Sequence, residues 1–209
     1  MRQTGLNSSN STAAHATRQT LIDPVTLAFD IDSVVADTMH LFVNIVQREY
    51  GLQHIAYEDI TSYNLLECLD IDEATVDAAI EQILSGTHKI ALEPIDGAVE
   101  VLSRLGGVCQ PLVFVSARPH MGAIDNWLKD HLSVAPEAIT TVATGSYEAK
   151  AEVLKNHHRS IFVEDRLETC YLLESVGITP VLFQQPWNRK SHPFIEVANW
   201  HELENLIDF

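Results

Sequence analysis

Short apolar runs alternate with segments of helical period along most of this chain, and that alternation narrows its possible folds more than any other feature. Val25-Thr26-Leu27-Ala28-Phe29 is apolar and partly β-branched, the pattern of a buried strand. From Pro94 onward, helical spacing over 98–105, 122–131, 147–156, 167–175 and about 200–207 is separated by strand-like runs at 112–115, 139–143, 160–163 and 181–183. Strands that are apolar throughout need cover on both faces, and a helix between successive strands supplies it. The expectation is therefore an α/β core built on a parallel sheet. Residues 39–93 carry no strand pattern. Met39, Phe42, Val43 and Val46 recur at helical spacing over 38–50, with Asp37 as N-cap and Gly51 as stop. Val76, Ala79, Ile80 and Ile83 share a face of a second helix over 72–84. The organisation predicted is a core of residues 21–38 and 94–209, with 39–93 inserted after the first strand as a small helical cap.

Composition then excludes several roles. The 209 residues, 46% apolar and 20% charged, suit one globular domain with an insertion. Thirteen basic and 29 acidic residues leave a net charge of −16, a surface that repels nucleic-acid polymers and anionic membranes. Small phosphates stay within reach if a divalent cation bridges the two. No apolar stretch approaches the roughly 18 residues of a membrane helix. Cys68, Cys109 and Cys170 are odd in number, far apart and outside any C-x-x-C pattern, which points to a reducing, cytoplasmic setting. Residues 1–20 are rich in Ser, Thr, Asn and Gln and contain no acid, so a disordered tail is expected there.

Ligands of open parallel sheets bind outside the carboxyl ends of the strands, so the residues there carry the chemistry. The first strand runs into Asp30-Ile31-Asp32, the second into Ser116-Ala117-Arg118-Pro119, and the fourth into Glu164-Asp165-Arg166. Lys150 lies on the helix leading to that fourth strand, with Lys155 of the same helix as its rival. Carboxylates, a hydroxyl beside free amides and a lysine together suit a phosphate bound through Mg²⁺. Asp-x-Asp alone is weak, since the chain repeats it at Asp70-Ile71-Asp72, where it reads as a helix cap. The first pair differs because carboxylates at the end of a hydrophobic strand are costly unless compensated.

These segments resemble a known group. The run from Leu27 to Thr38 (LAFDIDSVVADT) is similar to the first signature of the haloacid dehalogenase-like phosphohydrolases. Val113–Pro119 (VFVSARP) resembles the second, Lys150 the third, and Phe162–Arg166 (FVEDR) the fourth, in the family's order. Ile60-Thr61-Ser62-Tyr63 and the stretch from Phe183 to Arg189 (FQQPWNR) resemble the 5'(3')-deoxyribonucleotidase-like branch. Ser33 departs from the glycine that commonly follows the second Asp. The resemblance implies a Rossmann-like core and a Mg²⁺-dependent phosphatase. Asp30 would be the nucleophile forming an aspartyl-phosphate, and Asp32 the general acid–base. Asp30, Asp165, Glu164 and the Asp32 carbonyl would hold the metal. Ser116, with Ala117 and Arg118, would bind the phosphoryl oxygens while Lys150 neutralises charge. A small phosphorylated substrate is implied, a nucleoside monophosphate for this branch. Tyr63, Trp187 and Asn188 are the candidates on the leaving-group side, with Phe42 and Gln184 behind them. Two alternatives stay open: a phosphatase for another small metabolite, and a non-enzymatic phosphate-sensing module, which the motif order and the large insertion fit poorly.

Overall fold

The computed structural model describes residues 21–209, so the tail expected at 1–20 lies outside the described residues. The apolar runs form strands β1 (Leu27–Phe29), β2 (Leu112–Ser116), β3 (Ile139–Ala143), β4 (Ile161–Glu164) and β5 (Thr179–Phe183). All of β1 and β2 is buried, as strands covered on both faces must be. A sixth strand, β6 (Ile195–Val197), completes the sheet. It went unpredicted because three residues, one of them the exposed Ile195, carry no readable period.

Every pairing is parallel, in the order β3-β2-β1-β4-β5-β6. The chain lays β2 and β3 on one side of β1, then crosses back to lay β4, β5 and β6 on the other. That reversal opens a crevice at the carboxyl end of β1, the place where such sheets bind ligands. The period of two along each strand splits the core. Leu27, Phe29, Leu112 and Phe114 face one layer, while Ala28, Val113, Val115 and Phe162 face the other. Helices α3 (Ala98–Val108) and α7 (Trp200–Glu204) cover the first layer. Helices α5 (Lys150–Asn156) and α6 (Leu167–Ser175) cover the second through Leu154 and Leu173. Each large side chain so buried contributes about 1.5–3 kcal/mol relative to exposure.

The inserted segment carries α1 (Thr38–Tyr50) and α2 (Glu73–Ser85). Its apolar faces do not form a core of their own. Leu41, Phe42, Ile45, Val46, Ala79 and Ile83 join the same continuous cluster as Phe29 and Phe114. Gly86 ends α2 at φ 71°, and a Cβ there would come within 2.4 Å of Ala123 Cβ at the start of α4 (Gly122–His131). The insertion is therefore seated closely on the sheet's own helices.

The helix boundaries carry two differences from expectation. Asp37 precedes α1 without a side-chain capping bond; its Oδ1 meets His40 Nδ1 at 2.7 Å instead. The helix expected from 147 begins at Lys150, leaving Tyr147 in the preceding turn. Asp72, in the second Asp-x-Asp, accepts from Thr75 N at 3.0 Å and caps α2.

Candidate active site

The carboxyl end of β1 delivers Asp30 into the crevice. Its N–H still donates to Val163 O at 2.9 Å, so the residue is held as a continuation of the sheet ladder. Asp30 Oδ1 accepts from Ile31 N at 2.7 Å and Oδ2 from Lys150 Nζ at 2.7 Å. Lys150 opens α5, is fully buried, and also donates to Glu164 Oε2 at 2.8 Å. Lys155 lies exposed on the same helix, away from these groups. Glu164 ends β4, and its Oε1 accepts from Arg166 N at 3.0 Å. Asp165 follows, with Oδ2 accepting from Trp187 Nε1 at 2.9 Å.

Asp30, Glu164 and Asp165 each offer a carboxylate oxygen, and these oxygens lie within 4.8 Å of one another. One lysine is too little positive charge for three buried carboxylates. Burial pushes Asp30 up to about 8, with Lys150 pulling against it and Glu164 and Asp32 pushing further. Asp165 also stands well above the ordinary carboxylate range, through burial and then the Glu164 and Asp30 charges. Burial alone would lower Lys150, but the charges of Asp30 and Glu164 outweigh it and hold the ammonium firmly protonated. Hard oxygen donors short of positive charge are the set that Mg²⁺ selects, so the residues present fit that ion.

Asp32, two residues on, faces different company. Arg118 forks onto it, Nη2 to Oδ1 at 2.7 Å and Nε to Oδ2 at 2.9 Å, and Ser116 Oγ reaches Oδ2 at 3.2 Å. Burial would raise Asp32, but the Arg118 guanidinium overcomes it and holds the carboxyl below its usual range. Its carboxylate thus pairs with Arg118 and Ser116 and lies outside the Asp30, Glu164 and Asp165 trio, where the metal contact expected of Asp32 was through its carbonyl. Ser116 Oγ accepts from Arg118 N at 3.2 Å, so this hydroxyl caps the turn after β2 and not α4. Arg118 is buried and reaches the insertion as well, Nη1 donating to Ile83 O at 3.4 Å. Ser33 occupies the left-handed region at φ 59°, the conformation that glycine would take there without strain. Its carbonyl accepts from Gln185 Nε2 at 2.6 Å, which pins the turn behind the two aspartates.

Asp30, Asp32, Ser116, Ala117 and Arg118 line one end of a cleft of about 420 Å³, and Tyr63 lines it too. Tyr147, unremarked in the sequence, is there as well, its hydroxyl donating to Tyr63 Oη at 3.0 Å. Arg166 stacks at 4.2 Å over the Tyr147 ring. No motif pattern marked Tyr147, which lies in the turn before α5.

Trp187 and Asn188, expected beside the leaving group, lie outside this lining. Trp187 holds the Asp165 carboxylate, and Asn188 Nδ2 donates to the carbonyls of Asp165 and Phe183 at 2.7 and 2.8 Å. With Asn188 Oδ1 taken by Gln185 N, both side chains are committed to shaping the loop behind Asp165. Phe42 is fully buried in the core, and Gln184 also lies outside the cleft. Cys68, Cys109 and Cys170 are free thiols.

The family model described as 5' nucleotidase, deoxy (pyrimidine), cytosolic type C protein matches residues 23–209. The chain belongs to this family. Two curated relatives agree with it. The Halalkalibacterium halodurans protein "Putative nucleotidase BH1399" is 27% identical over 184 residues, 86% of this chain and 90% of that one. The 5'(3')-deoxyribonucleotidase of Bacillus subtilis is 24% identical over 185 residues, 87% of this chain and 97% of that one. Among solved structures, a HAD-superfamily hydrolase from Ehrlichia chaffeensis shares the fold, with a TM-score of 0.50 at 16% identity over 87% of this chain and 95% of that chain. This member of the nucleotidase family is a phosphomonoester hydrolase, and its fold is the one seen in that haloacid dehalogenase-like hydrolase. Among its described residues no helix is long and apolar enough to cross a membrane.

Proposed function

We propose that this nucleotidase-family chain hydrolyses nucleoside monophosphates, deoxyribonucleotides among them, through an aspartyl-phosphate formed on Asp30. The observation that carries the reading is the position of Asp30. It stands at the floor of the cleft, beside a buried lysine and two further carboxylates, with the Ser116–Arg118 turn opposite. The substrate class rests on the family match and on the activity named for the Bacillus subtilis relative.

Asp30 Oδ attacks phosphorus, the bond from phosphorus to the leaving oxygen breaks, and Asp32 supplies that oxygen's proton. Asp32 is ionised while Arg118 grips it, so the incoming phosphoryl group must take over the Ser116 and Arg118 donors before Asp32 can carry a proton. In the second step water attacks the aspartyl-phosphate, its proton passes to Asp32, and Asp30 is regenerated as phosphate leaves. Lys150 keeps Asp30 in place and neutralises charge in both steps. Asp30, Glu164 and Asp165 would hold Mg²⁺, which supplies charge screening between an anionic nucleophile and an anionic substrate.

The test is phosphate release over a panel of nucleotides, sugar phosphates and phosphorylated acids with Mg²⁺, combined with mass analysis of the rapidly quenched enzyme. An added phosphoryl group on the Asp30 peptide, lost in Asp30→Asn, is expected. Turnover of a non-nucleotide far above every nucleotide would overturn the substrate class. An Asp30→Asn variant with more than about 1% of parent activity would overturn the nucleophile.

A further inference from the structure

Besides the residues around Asp30 and Ser116, the same cleft is walled by the start of α1 and one face of α2. Met39, Val76 and Ile80 give it an apolar floor, while Glu73 and Asp77 stand exposed along its side. Arg118 is the only cation among the described residues that line the cleft, and its fork is already closed on Asp32. No further cation among the described residues lines the cleft to meet a second anion on the substrate; Arg166, stacked on the Tyr63 and Tyr147 rings, is not part of the lining.

We infer that Glu73 and Asp77 are specificity-determining residues, selecting leaving groups that are uncharged, lie with an apolar face on α2 and turn hydrogen-bond donors toward the two carboxylates. A leaving group with a further phosphate or carboxylate is rejected by charge. The phosphate end tolerates an anion because Ser116, Arg118 and Lys150 are there. The α2 side of the lining has the reverse balance, two carboxylates against none of these cations. In a cleft partly screened from water, one unfavourable pair of unit charges suffices for roughly tenfold discrimination, and two for more. The inference deepens the nucleotide reading above and rests on it for the choice of substrates.

A pair of substrates differing by a single anion tests it: uridine 5'-monophosphate and its 6-carboxylate, orotidine 5'-monophosphate. The Mg²⁺-loaded enzyme is expected to favour the uncharged base by about tenfold or more in kcat/KM. The double variant Glu73→Gln, Asp77→Asn should narrow that ratio to within about threefold, chiefly through KM of the carboxylated substrate. Both side chains are exposed, and circular dichroism with thermal melting checks that the variant folds. Discrimination by shape would survive the charge-neutral variant, so an unchanged ratio overturns the inference, as does equal turnover of both substrates by the parent. If neither nucleotide is hydrolysed while 4-nitrophenyl phosphate is, the nucleotide reading fails. The inference is then decided on 4-nitrophenyl phosphate and 4-carboxyphenyl phosphate with the same variant and the same criterion.

Discussion

Asp30 and Asp32 leave the same strand two residues apart and settle into opposite electrostatic worlds. Asp30 is crowded by Glu164 and Asp165, with one lysine shared among them, and burial raises it to about 8. Asp32 has a guanidinium and a hydroxyl to itself and lies below its ordinary range. The contrast separates two jobs that both need a carboxyl group. A group short of countercharge gains from a cation and from reacting with an electrophile. A group held by a displaceable arginine can change its protonation when a substrate anion arrives. Two like residues acquire opposite pKa shifts from their surroundings alone.

The sharpest way to break the contrast is to remove Lys150. Lys150→Met leaves Asp30 and Glu164 buried without their shared cation, and unpairing a buried ion pair costs about 3–5 kcal/mol. Turnover should fall by at least about a hundredfold and the urea midpoint should drop with it. A variant as stable as the parent would show that the lysine is not offsetting the carboxylates. Asp32→Asn is expected to slow turnover by roughly 10²–10⁴-fold and to lower the urea midpoint as well, because buried Arg118 loses its charged partner. With 4-nitrophenyl phosphate, whose leaving group needs little protonation, phosphorylated enzyme should accumulate as a burst. Slow turnover with no burst would take the acid–base role away from Asp32.

The opposed shifts also predict opposed pH dependences of stability. Asp30 holds its proton more tightly folded than unfolded, so its contribution is complete below pH 3.8 and is lost as pH rises through about 8. Asp32 has a depressed folded value, so its contribution is present above the ordinary carboxylate range and lost as acid passes through that lower value. The chelated protein should therefore melt at a lower temperature at pH 8.5 than at pH 6, by several degrees at about 2–4 °C per kcal/mol. Mg²⁺ should raise the melting temperature most at the higher pH, and Asp30→Asn should flatten both trends. An Asp30-independent slope would place the destabilising charge elsewhere. The smallest effect should come from the other Asp-x-Asp. Asp72 caps α2 through Thr75, so Asp72→Ala should lower thermal stability slightly. Turnover should stay within about threefold of parent, and a larger loss would mean that the cap also shapes the cleft.

The buried strands β1, β2 and β4 and their covering helices were legible from the sequence because burial on both faces demands apolar runs, whereas β3, with two threonines and only partial burial, carried a weaker pattern. The charged groups at strand ends were legible for a related reason. Asp30 and Asp32 follow directly on a run that pays to stay dry, where carboxylates persist only with compensation. What tertiary structure alone decided was who compensates whom. Lys150 and Lys155 look alike five residues apart, yet α5 turns the first inward to Asp30 and leaves the second exposed. Trp187 and Asn188 have the chemistry of base-binding groups, but the chain after β5 folds them behind Asp165. Tyr147 and the α2 face entered the cleft through contacts between segments tens of residues apart. Sequence spacing carries local periods and local costs. Partner choice across the sheet depends on where distant elements pack, and that is set only when the whole core closes.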